Sequence, residues 1–301
     1  MLVADKGFNG LVIKLQITSY KQETNAVRAE AGVRLADLVK LCLKQGLSGL
    51  EWAAGIPQAT VGGAVWGNAG AFGRTIGEVV REVGAMQSQI SNLKSPQRSP
   101  SLSLGTLRGR QNENAKFKIF GNKDCQFRYK DSIFKRDRGL VILSAKLVLE
   151  KKTREEVKNK VQEILDYRKE HHPVEPSAGS VFKNYQLSII NASTSQFGPE
   201  LTAEGLSTLS LSKGYQLLKR FPGVQQFEKM KIIPAGWLIE QCGLKGKIIG
   251  GAQISPKHAN FIVNTGGAKA GDVIKLIKLA KKRVKEKFGI ELEEEIQYLG
   301  F

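Results

Sequence analysis

The sequence predicts an α+β protein folded in two domains. Three observations carry this. Helical and extended patterns alternate irregularly along the chain and form no repeating βαβ unit. Val141 to Glu150 alternates as a strand, with apolar residues at Val141, Leu143, Ala145, Leu147 and Leu149. The helical stripe that follows is ended by Pro173 and Pro176, which sets a domain boundary near residue 170.

The elements follow in order. Leu2 to Ala4 and Gly10 to Leu15 read as strand, broken by Lys6 to Asn9. Residues 35–45 read as a helix, because Leu35, Leu38, Val39, Cys42 and Leu43 share a face and Gly46 stops it. Val79 to Met86 reads as a strand. Gln87 to about Asn114 is rich in Ser, Pro, Asn, Gln and Arg and reads as a long flexible insertion. Thr153 and Glu156 form a capping box for a helix reaching Lys169, with Val157, Val161, Ile164 and Leu165 as its stripe. Residues 193–231 read as a second insertion. Ala235 to Cys242 is helical, and Gly250 to Asn264 is turn and strand. The last helix spans about Asp272 to Phe288, with Val273, Ile277, Ala280, Val284 and Phe288 buried and Gly289 as its C-cap. Glu291 to Phe301 closes the chain as a strand.

With 41% hydrophobic and 25% charged residues, the chain can bury a core and is not globally disordered. Its net charge of +18 favours anionic partners such as nucleotides, phosphorylated sugars, nucleic acid or acidic lipid. Cys42, Cys125 and Cys242 are odd in number and widely spaced, which fits reduced thiols in a cytosol and argues against a disulfide framework or a zinc site. The pair His171-His172 has no carboxylate or cysteine at ligand spacing, so no metal site is expected. No run of about 18 apolar residues crosses a membrane.

The stretch Gly55 to Gly73 holds six glycines in nineteen residues. Such a backbone can turn sharply and present its N–H groups to a phosphate or a cofactor. It can equally form a tight packing corner between sheets. Both readings stand on composition alone.

Several blocks together resemble the UDP-N-acetylenolpyruvoylglucosamine reductases, the flavoenzymes of peptidoglycan precursor synthesis. The blocks are Gly49-Leu50-Glu51, Gly55-Ile56-Pro57, Val61 to Ala64, Asn68 to Ala71, Tyr129 to Lys135, Ser177 to Asn184, Ala235 to Ile239, Gly250 to Asn264 and Gly289 to Gly300. The resemblance implies a flavin-binding domain of the PCMH/vanillyl-alcohol-oxidase type over 1–150, a linker helix over 151–170 and an α+β substrate-binding domain over 171–301. It implies FAD and NADPH as cofactors, UDP-N-acetylglucosamine enolpyruvate as substrate and a cytoplasmic enzyme. Carried over residue by residue, it makes Ser180 the proton donor, with Glu295 and Lys130 stabilising the enolate. FAD contacts fall at Gly55, Ile56, Pro57, Thr60, Gly62, Gly63, Asn68, Ala69 and Gly70. Substrate contacts fall at Tyr129, Lys183, Asn184, Gln253 and Asn260, and His258 is structural.

The sequence departs from the family pattern in three places. Lys130 stands for arginine, which keeps the charge but loses the planar bidentate fork. Gln58-Ala59 replaces a single glycine. The chain also starts late, without the glycine-rich Gly-Ser-Asn loop that precedes a strand like Leu2-Val3-Ala4, and this implies an N-terminally incomplete FAD domain, weak FAD affinity and an exposed edge. Two other readings remain open: an inactive truncated remnant, and a basic protein binding nucleic acid through the arginines of the first insertion and the face of Lys275, Lys278, Lys281, Lys282 and Lys285.

Overall fold

The computed structural model describes residues 1–10, 12, 14–87, 116–187 and 213–301. The insertion expected at 87–114 lies outside the described residues except for Gln87, and so does the 193–212 part of the second insertion. The chain forms two compact units, Val12–Glu170 and Met1–Leu11 together with His171–Phe301. The labelled elements, in chain order, are β1 (Leu2–Val3), β2 (Tyr20–Glu23), β3 (Ala26–Glu30), α1 (Leu35–Gln45), α2 (Val61–Trp66), β4 (Val80–Gln87), β5 (Lys116–Gly121), β6 (Leu140–Val148), α3 (Arg154–His171), β7 (Ser177–Ser180), α4 (Lys213–Arg220), α5 (Ala235–Gln241), β8 (Ile248–Ile249), β9 (Ala252–Ile254), β10 (Phe261–Asn264), α6 (Ala270–Phe288) and β11 (Tyr298–Leu299).

The Val12–Glu170 unit is built on a five-stranded sheet of order β2-β3-β6-β4-β5, antiparallel throughout. Alternation decides its faces. Val27, Ala29, Val83, Ala85, Phe120, Ala145 and Leu147 enter the core, while Arg28 pairs with Glu82 at 2.7 Å and Lys146 with Glu23 at 3.4 Å away from it. α1 ends at Gly46, which takes φ 64° and gives its N–H to the Cys42 carbonyl. α3 does more than link: Val157, Val161 and Ile164 are buried in this core. Its capping box is complete, with Thr153 Oγ1 accepting from the Glu156 N–H at 3.1 Å and Glu156 accepting from the Thr153 N–H at 2.9 Å. Burial pushes the Cys42 and Cys125 thiols up to about 12, so neither is a thiolate at neutral pH.

The other unit has a four-stranded antiparallel sheet of order β7-β10-β9-β8. α6 buries Leu276, Ile277, Ala280, Val284 and Phe288 in a cluster with Leu238 and Ile239 of α5 and Ile254 and Ile262 of the sheet. Its cap is Gly289 at φ 66°. In the described part of the second insertion, α4 and the 3₁₀ turn Pro222–Phe227 bury Leu217, Leu218, Val224 and Phe227.

Three strand expectations change. Gly10 to Leu15 is not the expected strand: Leu11 and Ile13 lie outside the described residues, and residues 14–19 carry no regular structure. β1 pairs in parallel with β11, Leu2 opposite Tyr298, so the first residues pack with the last ones rather than within 1–150. Asp5 anchors this segment by accepting from the Ala270 N–H at the start of α6, at 2.8 Å. Glu291 to Phe301 is strand only at Tyr298–Leu299, because its main chain changes partner midway. Glu295 bonds to Val181, whereas Gln297 accepts from Leu2.

Thr153→Ala removes one arm of the α3 box. The expected result is a loss of about 1 kcal/mol in urea unfolding with an unchanged m-value.

Candidate functional site

A cleft of about 1220 Å³ opens in the Val12–Glu170 unit. This exceeds the roughly 300–1,000 Å³ of ordinary small-molecule pockets. The glycine-rich stretch builds one wall. Thr60 caps α2, its hydroxyl accepting from the Gly63 N–H at 3.3 Å. The Val61 and Gly62 N–H groups bond to the Val33 and Ala31 carbonyls, each at 2.8 Å. These two amides are therefore committed to the main chain and do not cradle a phosphate. The segment is a packing corner whose outer side is the cleft wall, so both readings of its composition meet here. A Cβ on Gly62 would lie 2.9 Å from Ala31 Cβ, and one on Gly32 would lie 2.6 Å from the Ile17 carbonyl oxygen. Trp66, one turn after Gly62 on the same face of α2, also lines the cleft, and Lys14 and Arg34 bring cations to it. Gln58, beside the family's glycine position, lines it with φ 55°.

Of the residues expected at FAD, Thr60, Gly62 and Gly63 line the cleft. Gly55 instead takes φ 75° against α3, where a Cβ would sit 3.1 Å from both Leu165 and Arg168. Ile56 packs on the core, and Pro57 lies in the exposed turn after it. Asn68, Ala69 and Gly70 hold a neighbouring turn.

That turn is Arg128–Asp131, closed by Arg128 N–H to Asp131 O at 3.0 Å and Asp131 N–H to Arg128 O at 3.1 Å. Lys130 occupies its left-handed position at φ 54°. Asn68, 5% exposed, donates from Nδ2 to the Arg128 carbonyl at 2.8 Å and accepts from the Gly77 N–H at 3.0 Å. Lys130 Nζ reaches the Gly70 carbonyl at 3.3 Å, and Ala69 accepts from the Ile76 N–H at 2.8 Å. Three residues that sequence reading passed over complete the joint. Buried Ser132 donates to the Trp66 carbonyl at 2.7 Å, and Lys135 donates to the Lys130 carbonyl at 2.9 Å while lying 5.0 Å over the Trp66 ring. The signal was present, since Tyr129 to Lys135 is one of the motif blocks and Trp66 lies in the glycine-rich stretch Gly55 to Gly73. Tyr129 is at the exposed second position of the turn.

In the other unit, β7 pairs with β10, Ser180 opposite Phe261, across a bulge that contains Gly179 at φ 79°. The chain then passes between two neighbours. Val181 N–H bonds to the Asn260 carbonyl, and Glu295 N–H to the Val181 carbonyl, both at 2.8 Å. Lys183 N–H bonds to the Glu293 carbonyl at 2.8 Å, and its ammonium forms a close ion pair with Glu293. Glu295 is thus paired with the residue that follows Ser180. Half-buried Ser180 has no hydroxyl hydrogen bond among the described residues. The Asn260 and Asn184 side chains both bond to main chain. Both ends of the Asn260 amide bond to Phe182, and Asn184 Oδ1 accepts from the Ala235 N–H at 3.1 Å. Gln253 lies two strands from Ser177 and donates to the Gly246 carbonyl at 3.1 Å. The lysine face of α6 carries counter-charges, with Lys281 on Glu294 at 2.7 Å and Lys285 on Glu291 at 2.6 Å. Among the described residues, no helix is long and apolar enough to cross a membrane.

Removing the Asn68 amide leaves the Gly77 N–H and the Arg128 carbonyl without these partners. Asn68→Ala is expected to cost about 1–3 kcal/mol of stability by urea unfolding. Gly62→Ala is expected to move α2 off β3 and to weaken any ligand of the cleft at least tenfold by titration.

Two family models match the chain. Residues 170–299 match the UDP-N-acetylenolpyruvoylglucosamine reductase C-terminal domain, and residues 1–89 match an FAD binding domain. The UDP-N-acetylenolpyruvoylglucosamine reductase of Solibacter usitatus is 34% identical over 302 residues, which is all of this chain and 80% of that protein. UDP-N-acetylenolpyruvoylglucosamine reductase 1 of Bacillus cereus is 34% identical over 303 residues, covering 77% of its length. The crystal structure of the reductase from Thermus caldophilus superposes with a TM-score of 0.58 at 27% identity, covering 93% of this chain and 74% of that one.

Proposed function

Because the chain belongs to the UDP-N-acetylenolpyruvoylglucosamine reductase family, we propose that it reduces UDP-N-acetylglucosamine enolpyruvate to UDP-N-acetylmuramate in the cytoplasm, with FAD as bound cofactor and NADPH as reductant. The Val12–Glu170 unit holds the cofactor and the 171–301 region carries the substrate. The observation that supports this most is the pairing of Val181 to Lys183, the segment that follows Ser180, with Glu293 to Glu295 inside the region that matches the reductase C-terminal model.

The cleft suits a flavin dinucleotide. Lys14 meets pyrophosphate charge, with Arg34 beside it on Asp37, Trp66 offers a flat apolar wall, and the bare Gly62 lets that wall seat on Ala31. FAD, when bound, carries two electrons from NADPH to the enolpyruvyl double bond.

The chain's own residues do the rest. Adding a hydride equivalent to an enol ether that bears a carboxylate drives negative charge onto the acid carbon and its oxygens. The Lys130 ammonium opposes that charge, and Glu295 gives its N–H to the Val181 carbonyl and so holds the segment that follows Ser180. Ser180 delivers its hydroxyl proton to the acid carbon. Tyr129, Lys183 and Gln253 contact the sugar nucleotide, and Asn184 and Asn260 hold the main chain beneath it.

A visible spectrum of the purified chain tests this. Added FAD is expected to give a bound-flavin spectrum that NADPH bleaches and the UDP-enolpyruvyl sugar restores. A protein that ignores FAD overturns the reading. In Ser180→Ala, bleaching by NADPH is expected at the parental rate and restoration slowed by about 10²–10⁴-fold.

A further inference from the structure

Behind Ser180 a run of buried and half-buried polar groups, Ser255 and His258, leads to Asn260. Ser255 is wholly buried, and its hydroxyl accepts from the Lys257 N–H at 3.1 Å and the His258 N–H at 3.3 Å. These bonds close the turn that carries His258. His258 Nδ1 then accepts from the Asn260 N–H at 3.2 Å. Asn260, 4% exposed, brackets Phe182: its Oδ1 accepts from the Phe182 N–H at 2.9 Å and its Nδ2 donates to the Phe182 carbonyl at 2.8 Å. Its own carbonyl takes the Val181 N–H, and the Val181 carbonyl takes the Glu295 N–H. The two residues after Ser180 are therefore held by Asn260 and Glu295, and Asn260 is held by His258.

We propose that His258 is a positioning residue for Ser180: its neutral imidazole, accepting through Nδ1, fixes Asn260 and through it the Ser180–Phe182 segment against Glu295. This rests on the reading of Ser180 as the proton donor.

The surroundings hold the ring in one place. Gly236 leaves room for it, since a Cβ there would lie 2.9 Å from His258 Cε1. The His172 ring lies 5.6 Å from it and the Phe261 ring 5.0 Å, both edge to face. Burial is the main cause that lowers the His258 pKa. Its backbone hydrogen bond and Glu240 raise it, and Lys245 and His171 lower it. The ring is therefore neutral at neutral pH and able to accept. Protonation would put an N–H at Nδ1 facing the Asn260 N–H, and two donors cannot bond.

The test separates the half-reactions in the FAD-loaded protein. In His258→Leu, flavin bleaching by NADPH is expected within about twofold of the parent, and restoration by the UDP-enolpyruvyl sugar about 10–100-fold slower, the size expected of a misplaced group. His258→Asn, which keeps an acceptor near the Nδ1 position, is expected to recover most of that loss. The parental restoration rate should fall on the acid side of pH 6.5, as His258 takes its proton, and this limb should vanish in His258→Asn. Without any cofactor, ¹⁵N-histidine spectra at neutral pH should show His258 protonated at Nε2 only. Should His258→Leu fail to fold, Asn260→Ser, which withdraws the side-chain amide from Phe182 and adds no charge, should show the same split between half-reactions.

Equal slowing of both half-reactions, no rescue by asparagine, or a proton on Nδ1 would overturn the proposal. If the parent itself does not reduce the sugar, the functional reading fails. If Ser180→Ala still restores the flavin at the parental rate, the Ser180 assignment fails. Only when both stand does a missing split count against His258 alone.

Discussion

Two main-chain hydrogen bonds, from Val61 to the Val33 carbonyl and from Gly62 to the Ala31 carbonyl, seat the glycine-rich segment on the end of β3. Much of the Val12–Glu170 site depends on that seating. It is possible only because Gly62 has no Cβ to strike Ala31. Once α2 is fixed there, Trp66 faces the cleft, its carbonyl takes the Ser132 hydroxyl, and Asn68 can clasp the Arg128–Asp131 turn. That turn holds Lys130 in a left-handed conformation that a side chain adopts only when its surroundings impose it. The position of the one cation assigned to the enolate is thus set by contacts made about sixty residues away in the sequence.

The same device recurs in the 171–301 region with different parts. There a side-chain amide, not a glycine corner, holds the main chain. Asn260 occupies both polar groups of Phe182, and the strand that ends at Ser180 is kept between β10 and the Glu293–Glu295 segment. A buried amide with both ends bonded is rigid, because losing either bond leaves a polar group without water. In both units, side-chain amides expected at a ligand, those of Asn68 and Asn260, are bonded to main chain.

Legibility followed the range of the interaction. α1, α3 and α6 were readable nearly to the residue, because a 3.6-residue stripe and a glycine or capping-box stop are local signals. β4 and β6 were readable from alternation. The pairing of β1 with β11 was not, because two residues at each end carry no register information on their own. Nor was the strand content of Glu291 to Phe301, whose bonds go to two different partners. The motif blocks identified the family, but a motif names residues without separating those that face a ligand from those behind them. Gly55 sits against α3, and the Asn68 and Asn260 amides bond to main chain, which no motif could say.

The sequence by itself determined the fold class, helices α1, α3, α5 and α6, the family and the residue types the chemistry needs, since each is written in local periodicity or in ordered motif blocks. Only the tertiary structure decided that the Val61 and Gly62 amides serve the main chain, that Asn68 and Ser132 lock the Lys130 turn, and that His258 stands behind Ser180. The physical reason is that a hydrogen-bonding group can satisfy a ligand or a distant stretch of backbone, and the choice is made only when packing brings one of them within about 3 Å.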